Sequence, residues 1–207
     1  HVLHLGDGEN RFSPGWMQGV ADLLEQVRAN PAPLVTTASG KIWSNGLDLE
    51  WLQANPTEFQ SYVSDAQHLL ARMLELPVPT VAAVQGHCFA AGAMLSLCHD
   101  QRVMRADRGW WCLPEIDINL PFTPGMSALV RTKLAPSAAS LAMTTGHRFG
   151  GEAALEAGIV DHAVDEDAVL DTALGIAREL TGKNPDVLAQ IKATMYADAL
   201  HALRGTD

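Results

Sequence analysis

What this chain has little of narrows it first. Its 207 residues hold three cysteines, Cys88, Cys98 and Cys112. None forms a CxxC pair and all sit in apolar stretches, so they read as small buried hydrophobes of a reducing compartment, not as a disulfide framework or a zinc site. Charged residues make up 18% of the chain against 47% hydrophobic, which excludes a mainly disordered state. Positive charge is scarcest: 14 Lys and Arg against 24 Asp and Glu leave a formal charge of −10. Such a chain repels phosphate backbones, so no nucleic-acid partner is expected. Also missing are GxGxxG after a strand, GxxxxGK[ST], GxSxG and HExxH, the usual marks of dinucleotide binding, phosphoryl transfer, serine hydrolysis and zinc hydrolysis. The histidines form no ligand set, and His99 and His162, each beside an acidic residue, read as surface or capping residues. Neither a metal nor a redox cofactor is expected.

The run from Leu76 to His99 contains no Asp, Glu, Lys or Arg and is long enough to raise the question of a membrane span. Pro77, Pro79, Gly86, His87 and Gly92 interrupt it, and no basic clusters flank it, so it reads as two buried elements meeting at a turn. With no membrane segment, signal peptide, lipidation motif or SKL ending in these residues, the default expectation is a cytoplasmic protein.

The length suits one large domain or a tight pair. His1 to Gly6 alternates like a strand, and Ser13-Pro14 starts a helix whose apolar positions, Met17, Val20, Ala21, Leu24 and Val27, recur at helical spacing to Arg28. Leu34 to Ala38 reads as a buried strand, Pro56 to Glu75 as a helix, Thr80 to Val84 as a β-branched strand and Gly92 to Cys98 as a short apolar helix. Strands are expected at Arg102 to Met104, Trp110 to Leu113 and Ile159 to Val164. Helices are expected near Gly125 to Leu134, Ser137 to Thr145, Glu152 to Ala157, Asp167 to Leu180 and Pro185 to Leu203. Alternating strands and helices predict an α/β fold with a mostly parallel sheet. Residues 1–124 carry the strands and the candidate site; residues 125–207 are mainly helical and are expected to serve packing and oligomerisation, since a helix as apolar as Ser137 to Thr145 needs cover on more than one side.

Three segments can carry chemistry. Trp43-Ser44-Asn45-Gly46-Leu47-Asp48 and Gln85-Gly86-His87-Cys88-Phe89-Ala90-Ala91-Gly92 are glycine-containing turns after buried strands, able to aim backbone N–H groups into one pocket. Two converging donors would form an oxyanion hole. In Cys112-Leu113-Pro114-Glu115-Ile116-Asp117-Ile118, a carboxylate stands in apolar surroundings, and desolvation raises its proton affinity toward that of a base working near neutral pH.

In this order the segments resemble the enoyl-CoA hydratase/isomerase (crotonase) family: SNGLD its first oxyanion motif, QGHCFAAGAM its second, LPEIDINLP its catalytic-acid segment, and TTGHRFGGEAALEAGIVDHAV a further downstream stretch. The resemblance covers roughly residues 1 to 180. It implies a superhelix of β-β-α units with C-terminal helices used in trimerisation, an acyl-CoA thioester as substrate, coenzyme A present only as part of that substrate, and a homotrimer or dimer of trimers. It places the oxyanion donors on the N–H groups of Leu47 and of Ala91, the latter a position where the family usually has Gly, counts Gly46 of the first turn among the substrate-binding residues, and puts the proton-moving carboxylate on Glu115. Asp48 is expected to cap the following helix. Family hydratases carry a second glutamate two residues after the last Gly of the second motif; here that position is Met94, which cannot act as a base. One carboxylate without a water-holding partner suits a proton shuttle within one substrate, and the same segments are similar to plant-type Δ3-Δ2-enoyl-CoA isomerases. Isomerase is therefore favoured over hydratase, other crotonase-type lyase or hydrolase chemistry, and a non-catalytic scaffold or RNA-binding role. Phe89 and Met94 are candidates to line the acyl pocket, with Trp110 and Trp111 weaker ones. Trp43 is a candidate near the adenine of coenzyme A, and Lys41, Arg72 and Lys192 are possible phosphate contacts.

Overall fold

The path of the chain is a spiral that visits two parallel sheets in turn. In the computed structural model, which describes residues 1–205, β1 (Val2–His4), β2 (Leu34–Thr37), β4 (Thr80–Val84), β6 (Gln101–Arg105) and β8 (His162–Val164) form a five-stranded sheet in that order. The strands β3 (Ile42–Ser44), β5 (His87–Phe89) and β7 (Trp111–Cys112) form a second sheet of three. Three turns of the spiral lay one strand in the large sheet and the next in the small one, β2 then β3, β4 then β5 and β6 then β7, while β1 and β8 enter the large sheet alone. A helical segment then carries the chain back, because parallel neighbours cannot be joined by a tight hairpin. The large sheet is covered on both faces, which is why β2 and β4 are buried at every position.

The helices form where the sequence caps and spaces them. Ser13 accepts a hydrogen bond from Trp16 N at the start of α1 (Pro14–Ala29), Asp48 from Trp51 N at α2 (Leu49–Ala54), and Thr123 from Met126 N at α5 (Pro124–Lys133). Then α3 (Phe59–Leu74) buries Tyr62, Val63, Ala66, Leu69, Leu70, Met73 and Leu74 against the core. The short α4 (Ala91–Leu97) is buried on every side. Downstream, α6 (Pro136–Thr145) and α7 (Gly151–Glu156) lead to β8, and α8 (Val169–Glu179) lays Val169, Ala173 and Ala177 on Val35, Val81, Ala83 and Val103 of the large sheet. The last helix, α10 (Ala197–Arg204), packs on α5 and α3.

The structure departs from the sequence reading at three places. The glycine turns each contain a three-residue strand, β3 and β5, whose pairing is with distant residues and too short to show a period. The expected helix from Pro185 to Leu203 is two, α9 (Pro185–Met195) and α10, with the break at Tyr196. His99 is fully buried instead of at the surface: its ring nitrogens bond Leu95 O at 3.0 Å and Thr36 Oγ1 at 2.8 Å. Burial holds it neutral, with its pKa pushed down to about 4.

A polar knot anchors α9 to the core. Lys192, the one buried residue of that helix, donates from Nζ to Val78 O at 3.0 Å and to Asp100 Oδ2 at 2.7 Å. The same carboxylate oxygen accepts from Thr80 N at 2.8 Å and Thr80 Oγ1 at 3.1 Å, tying α9 to the first residue of β4. This contradicts Lys192 as a phosphate contact, since its ammonium is committed inside the protein. Arg72 instead lies near Glu25 at 3.9 Å, away from the candidate site. Removing one partner of a buried pair strands the other. Lys192→Met is therefore expected to cost about 3 kcal/mol and to lower Tm by about 6–12 °C in thermal unfolding. The exposed-site control Lys183→Met should leave it within about 2 °C.

Candidate active site

The small sheet ends in the three segments that carry the chemistry, side by side. After β3 the chain makes the first turn, and nearly every polar group of that turn is spoken for. Ser44 Oγ donates to Asn10 O at 2.8 Å and accepts from Gly46 N at 3.1 Å. Asn45 N donates to Glu9 O, and Asp48 N to the Tyr62 hydroxyl at 2.7 Å, which in turn donates to Phe12 O. Among the turn's backbone N–H groups after Ser44 the exception is that of Leu47, which finds no acceptor among the described residues.

After β5 the second turn repeats the arrangement. Ala90 N donates to Cys112 O, binding this turn to β7, and Ala90 O accepts from Met94 N. Ala91 N, at the first position of α4, has no acceptor among the described residues. The two turns touch: a Cβ built on Gly46 (φ +75°) would lie 2.6 Å from Ala91 N and 3.0 Å from Gly92 N. Gly46 is thus required by contact with the second donor, though it does not line the pocket itself. Gly92 is required by the reverse contact, since a Cβ there would meet Ser44 Oγ at 2.7 Å. Ala91 sits in ordinary helical geometry where the family usually has Gly, and the strained residue is its neighbour Ala90, at φ 51°, ψ −128°. A side chain in that region costs on the order of 1–3 kcal/mol, and the sequence reading passed over it.

From β7, held by paired bonds of 2.9 Å between Trp111 and Phe149, the chain enters a 3₁₀ turn started by Pro114. That turn delivers Glu115 into the same space. Glu115 is 4% exposed, and its Oε2 is buried with no hydrogen-bond partner. Desolvation pushes its pKa up to about 7, partly opposed by a hydrogen bond from its own backbone N–H.

These residues enclose a cavity of about 400 Å³. Leu47, Phe89, Ala91, Met94 and Glu115 all line it, as the sequence suggested. Ile42, Asn45, Ile118, Leu120 and Met126 join them, and the Oδ1 of Asn45 is a buried acceptor without a donor. The one other carboxylate in the lining, Glu50, stands exposed with Arg11 at 3.1 Å. Glu115 is therefore the cavity's one buried carboxylate among the described residues. Arg11, its one cation, was not foreseen; it is also paired with Glu9 and Asp48.

The tryptophans fall elsewhere. Trp43 is fully buried with its ring edge toward His99 at 6.1 Å, which overturns the expectation that it contacts substrate. Strand alternation explains this, because Ile42 takes the pocket side of β3 and Trp43 the core side. Trp111 is likewise core, donating to Ser96 Oγ, and Trp110 lies against Gly150 outside the cavity. Asp48 caps α2, as expected.

Comparison with known proteins agrees with this geometry. Residues 3–205 match the family model for enoyl-CoA hydratase/isomerase. The chain is 37% identical to peroxisomal enoyl-CoA delta isomerase 2 of Arabidopsis thaliana, covering 93% of this chain and 86% of that protein. It superposes on an apo enoyl-CoA isomerase of Mycobacterium tuberculosis with a TM-score of 0.90 at 31% identity, covering 99% and 90% of the two chains. A second structure of that same mycobacterial protein, there described as a probable enoyl-CoA hydratase, gives a TM-score of 0.91 at 30% identity, covering 99% and 87%. Touching glycine turns with unpaired N–H groups, a buried glutamate and a two-sheet spiral occur together here for a shared reason: the chain belongs to the enoyl-CoA hydratase/isomerase family.

Proposed function

We propose that the protein is a Δ3-Δ2-enoyl-CoA isomerase and that Glu115 is its proton shuttle. The observation that carries this reading is the composition of the cavity: two unpaired backbone donors, one buried carboxylate, and a thioether, Met94, 1% exposed, where a second carboxylate would hold a water. In the reaction, Glu115 removes a proton from C2 of a 3-enoyl thioester. The electron pair moves onto the thioester oxygen as a dienolate, whose charge the N–H groups of Leu47 and Ala91 stabilise without reorganising. Glu115 then returns the proton to C4, and the double bond moves from C3–C4 to C2–C3. Atoms balance within one substrate, and neither water nor a cofactor is consumed. The names of the plant relatives support the same reading.

Hydration would need a group to orient water opposite Glu115, and Met94 offers none. Phe89, Met94, Leu120 and Met126 supply the apolar surface for the acyl chain, and Arg11 at the mouth is the cation available to the coenzyme A end. A trimer, or a dimer of such trimers, belongs to the same proposal. It is supported by Val187, Ile191 and Met195, spaced four apart on α9 and each more than half exposed. A solution molar mass of one chain would remove that part of the reading; three or six copies are expected. Compartment is a separate matter: two of the plant relatives are named peroxisomal, in contrast to the cytoplasmic default for this chain.

Incubation with trans-3-hexenoyl-CoA is expected to raise the conjugated-thioester absorbance, while trans-2-hexenoyl-CoA should show no loss from hydration. Glu115→Gln should keep the fold and thioester binding yet lower turnover by about 10²–10⁴-fold; unchanged turnover would mean another group is the base. The base must be ionised to take the C2 proton, so activity should rise with pH. With Glu115 at about 7, kcat/KM is expected to be half-maximal near that pH and about tenfold below its plateau one unit lower. A profile flat from pH 5.5 to 8.5 would contradict the assignment.

A further inference from the structure

A second polar cavity lies where the large sheet hands the chain to the small one. It has a volume of about 200 Å³ and shares no lining residue with the catalytic cavity. Lys41 enters it just before β3, Gln85 just after β4, His87 at the first position of β5, Arg105 at the end of β6, Arg108 between β6 and β7, and Glu166 after β8. In a chain of formal charge −10 with 14 cations, this concentration of positive charge calls for a reason.

Internal pairing accounts for only part of it. Arg105 is fully engaged, by Asp107 at 2.6 and 2.9 Å and by Glu166 at 2.6 Å. That pairing also neutralises Glu166. Lys41 and Arg108 have no ion-pair partner among the described residues. Two buried atoms of the same lining, His87 Nδ1 and Gln85 Oε1, have no hydrogen-bond partner either. Two free cations beside an unpaired ring nitrogen match a dianion, and the unpaired amide oxygen matches a hydroxyl carried on or next to it. A sulfate or a carboxylate with no hydroxyl beside it would leave Gln85 Oε1 unsatisfied.

We propose that this cavity binds a phosphate group through Lys41, Arg108 and His87, at a site adjacent to but separate from the catalytic cavity. The two are linked through one stacked pair: the His87 ring lies 5.2 Å from that of Phe89, which lines the catalytic cavity and has Arg148 over its face at 5.9 Å. The phosphate has two possible sources of the same chemistry, inorganic phosphate and the 3′-phosphate of coenzyme A beside its ribose hydroxyl. The second rests on the reading of the substrate as a coenzyme A thioester.

His87 reports the site directly. The charged groups facing it are Lys41, Arg108, Arg148 and the Arg105–Glu166 pair, and burial followed by Arg108 and Arg148 lowers its proton affinity. A dianion in the cavity should raise it by about one pH unit. In NMR titrations of histidine-labelled protein, with His87 assigned through His87→Gln, inorganic phosphate is expected to shift the His87 resonance saturably and to raise its pKa. Lys41→Met/Arg108→Met should weaken this at least tenfold, and Lys41→Gln alone should weaken it partially if the double variant does not fold. A His87 shift by coenzyme A, absent with 3′-dephospho-coenzyme A, would assign the phosphate to the substrate. A shift by inorganic phosphate that coenzyme A does not compete away would assign it to a free anion. No saturable shift with either probe, or one undiminished in the folded cation variants, would overturn the proposal. Absence of isomerase turnover in the hexenoyl assay would instead count against the catalytic reading and leave this titration interpretable.

Discussion

The arrangement depends on one close approach, that of Gly46 to the backbone of Ala91 and Gly92. Two N–H groups can share a single oxygen only if their chains run nearly in contact, and a side chain on either facing glycine would force them apart. The parallel pairing of β3 with β5 brings the turns together, and the pairing of β5 with β7 brings Glu115 beside them. The small sheet is too short to contribute much stability. Its role is to hold three strand ends in register, while the large sheet, buried on both faces, and the knot around Asp100 supply the rigidity behind it.

Selective satisfaction turns these strand ends into a site. In the first turn, Asn45, Gly46 and Asp48 all donate to protein acceptors, and only Leu47 does not. Across the contact lies the N–H of Ala91, left open because it is the first of α4 and helix starts have no intrahelical acceptor. The same selectivity governs Glu115. Surrounded by Leu120, Pro121, Met94 and Met126, it lacks the partners that would hold its proton affinity low. A dry wall therefore serves two ends in the proposed reaction: it strengthens the two dipoles acting on the oxyanion and moves the carboxylate toward neutral pH.

Much of this was legible in the sequence because it depends on local wording. Ser13 and Asp48 announce their helices by capping chemistry, and the buried strands β2 and β4 announce themselves by composition. Leu47, Ala91, Met94, Phe89 and Glu115 could be placed because each sits at a fixed offset from a turn glycine or proline. The rest depends on what packs against what. Trp43 was misplaced because, within a three-residue strand, the face a side chain takes is decided by its neighbours; Ile42 went to the pocket and Trp43 to the core. Lys192 and His99 were misplaced because their partners, Asp100 and Thr36, lie 92 and 63 residues away. Arg11 escaped notice for the same reason, since its segment meets the first turn through contacts more than 30 residues apart in sequence, Asn45 N to Glu9 O, Ser44 Oγ to Asn10 O and Phe12 N to Gly46 O.

Ala90 shows how far positioning is favoured over local comfort. Glycine would adopt its backbone angles at no steric cost, so the alanine gives up some stability at the junction of β5 and α4. The junction does not relax, because both sides of the residue are fixed: its N–H is held by Cys112 O and its carbonyl by Met94 N. Those two bonds tie the second turn to β7 in front and to α4 behind. Relaxing Ala90 would break one of them and swing Ala91 N away from the first turn, and so from the oxygen that the proposed reaction has it share with Leu47. The strain is thus located at the residue preceding the donor, where the fold can oppose it from two directions and where a shift of a few tenths of an ångström would matter most to the proposed chemistry.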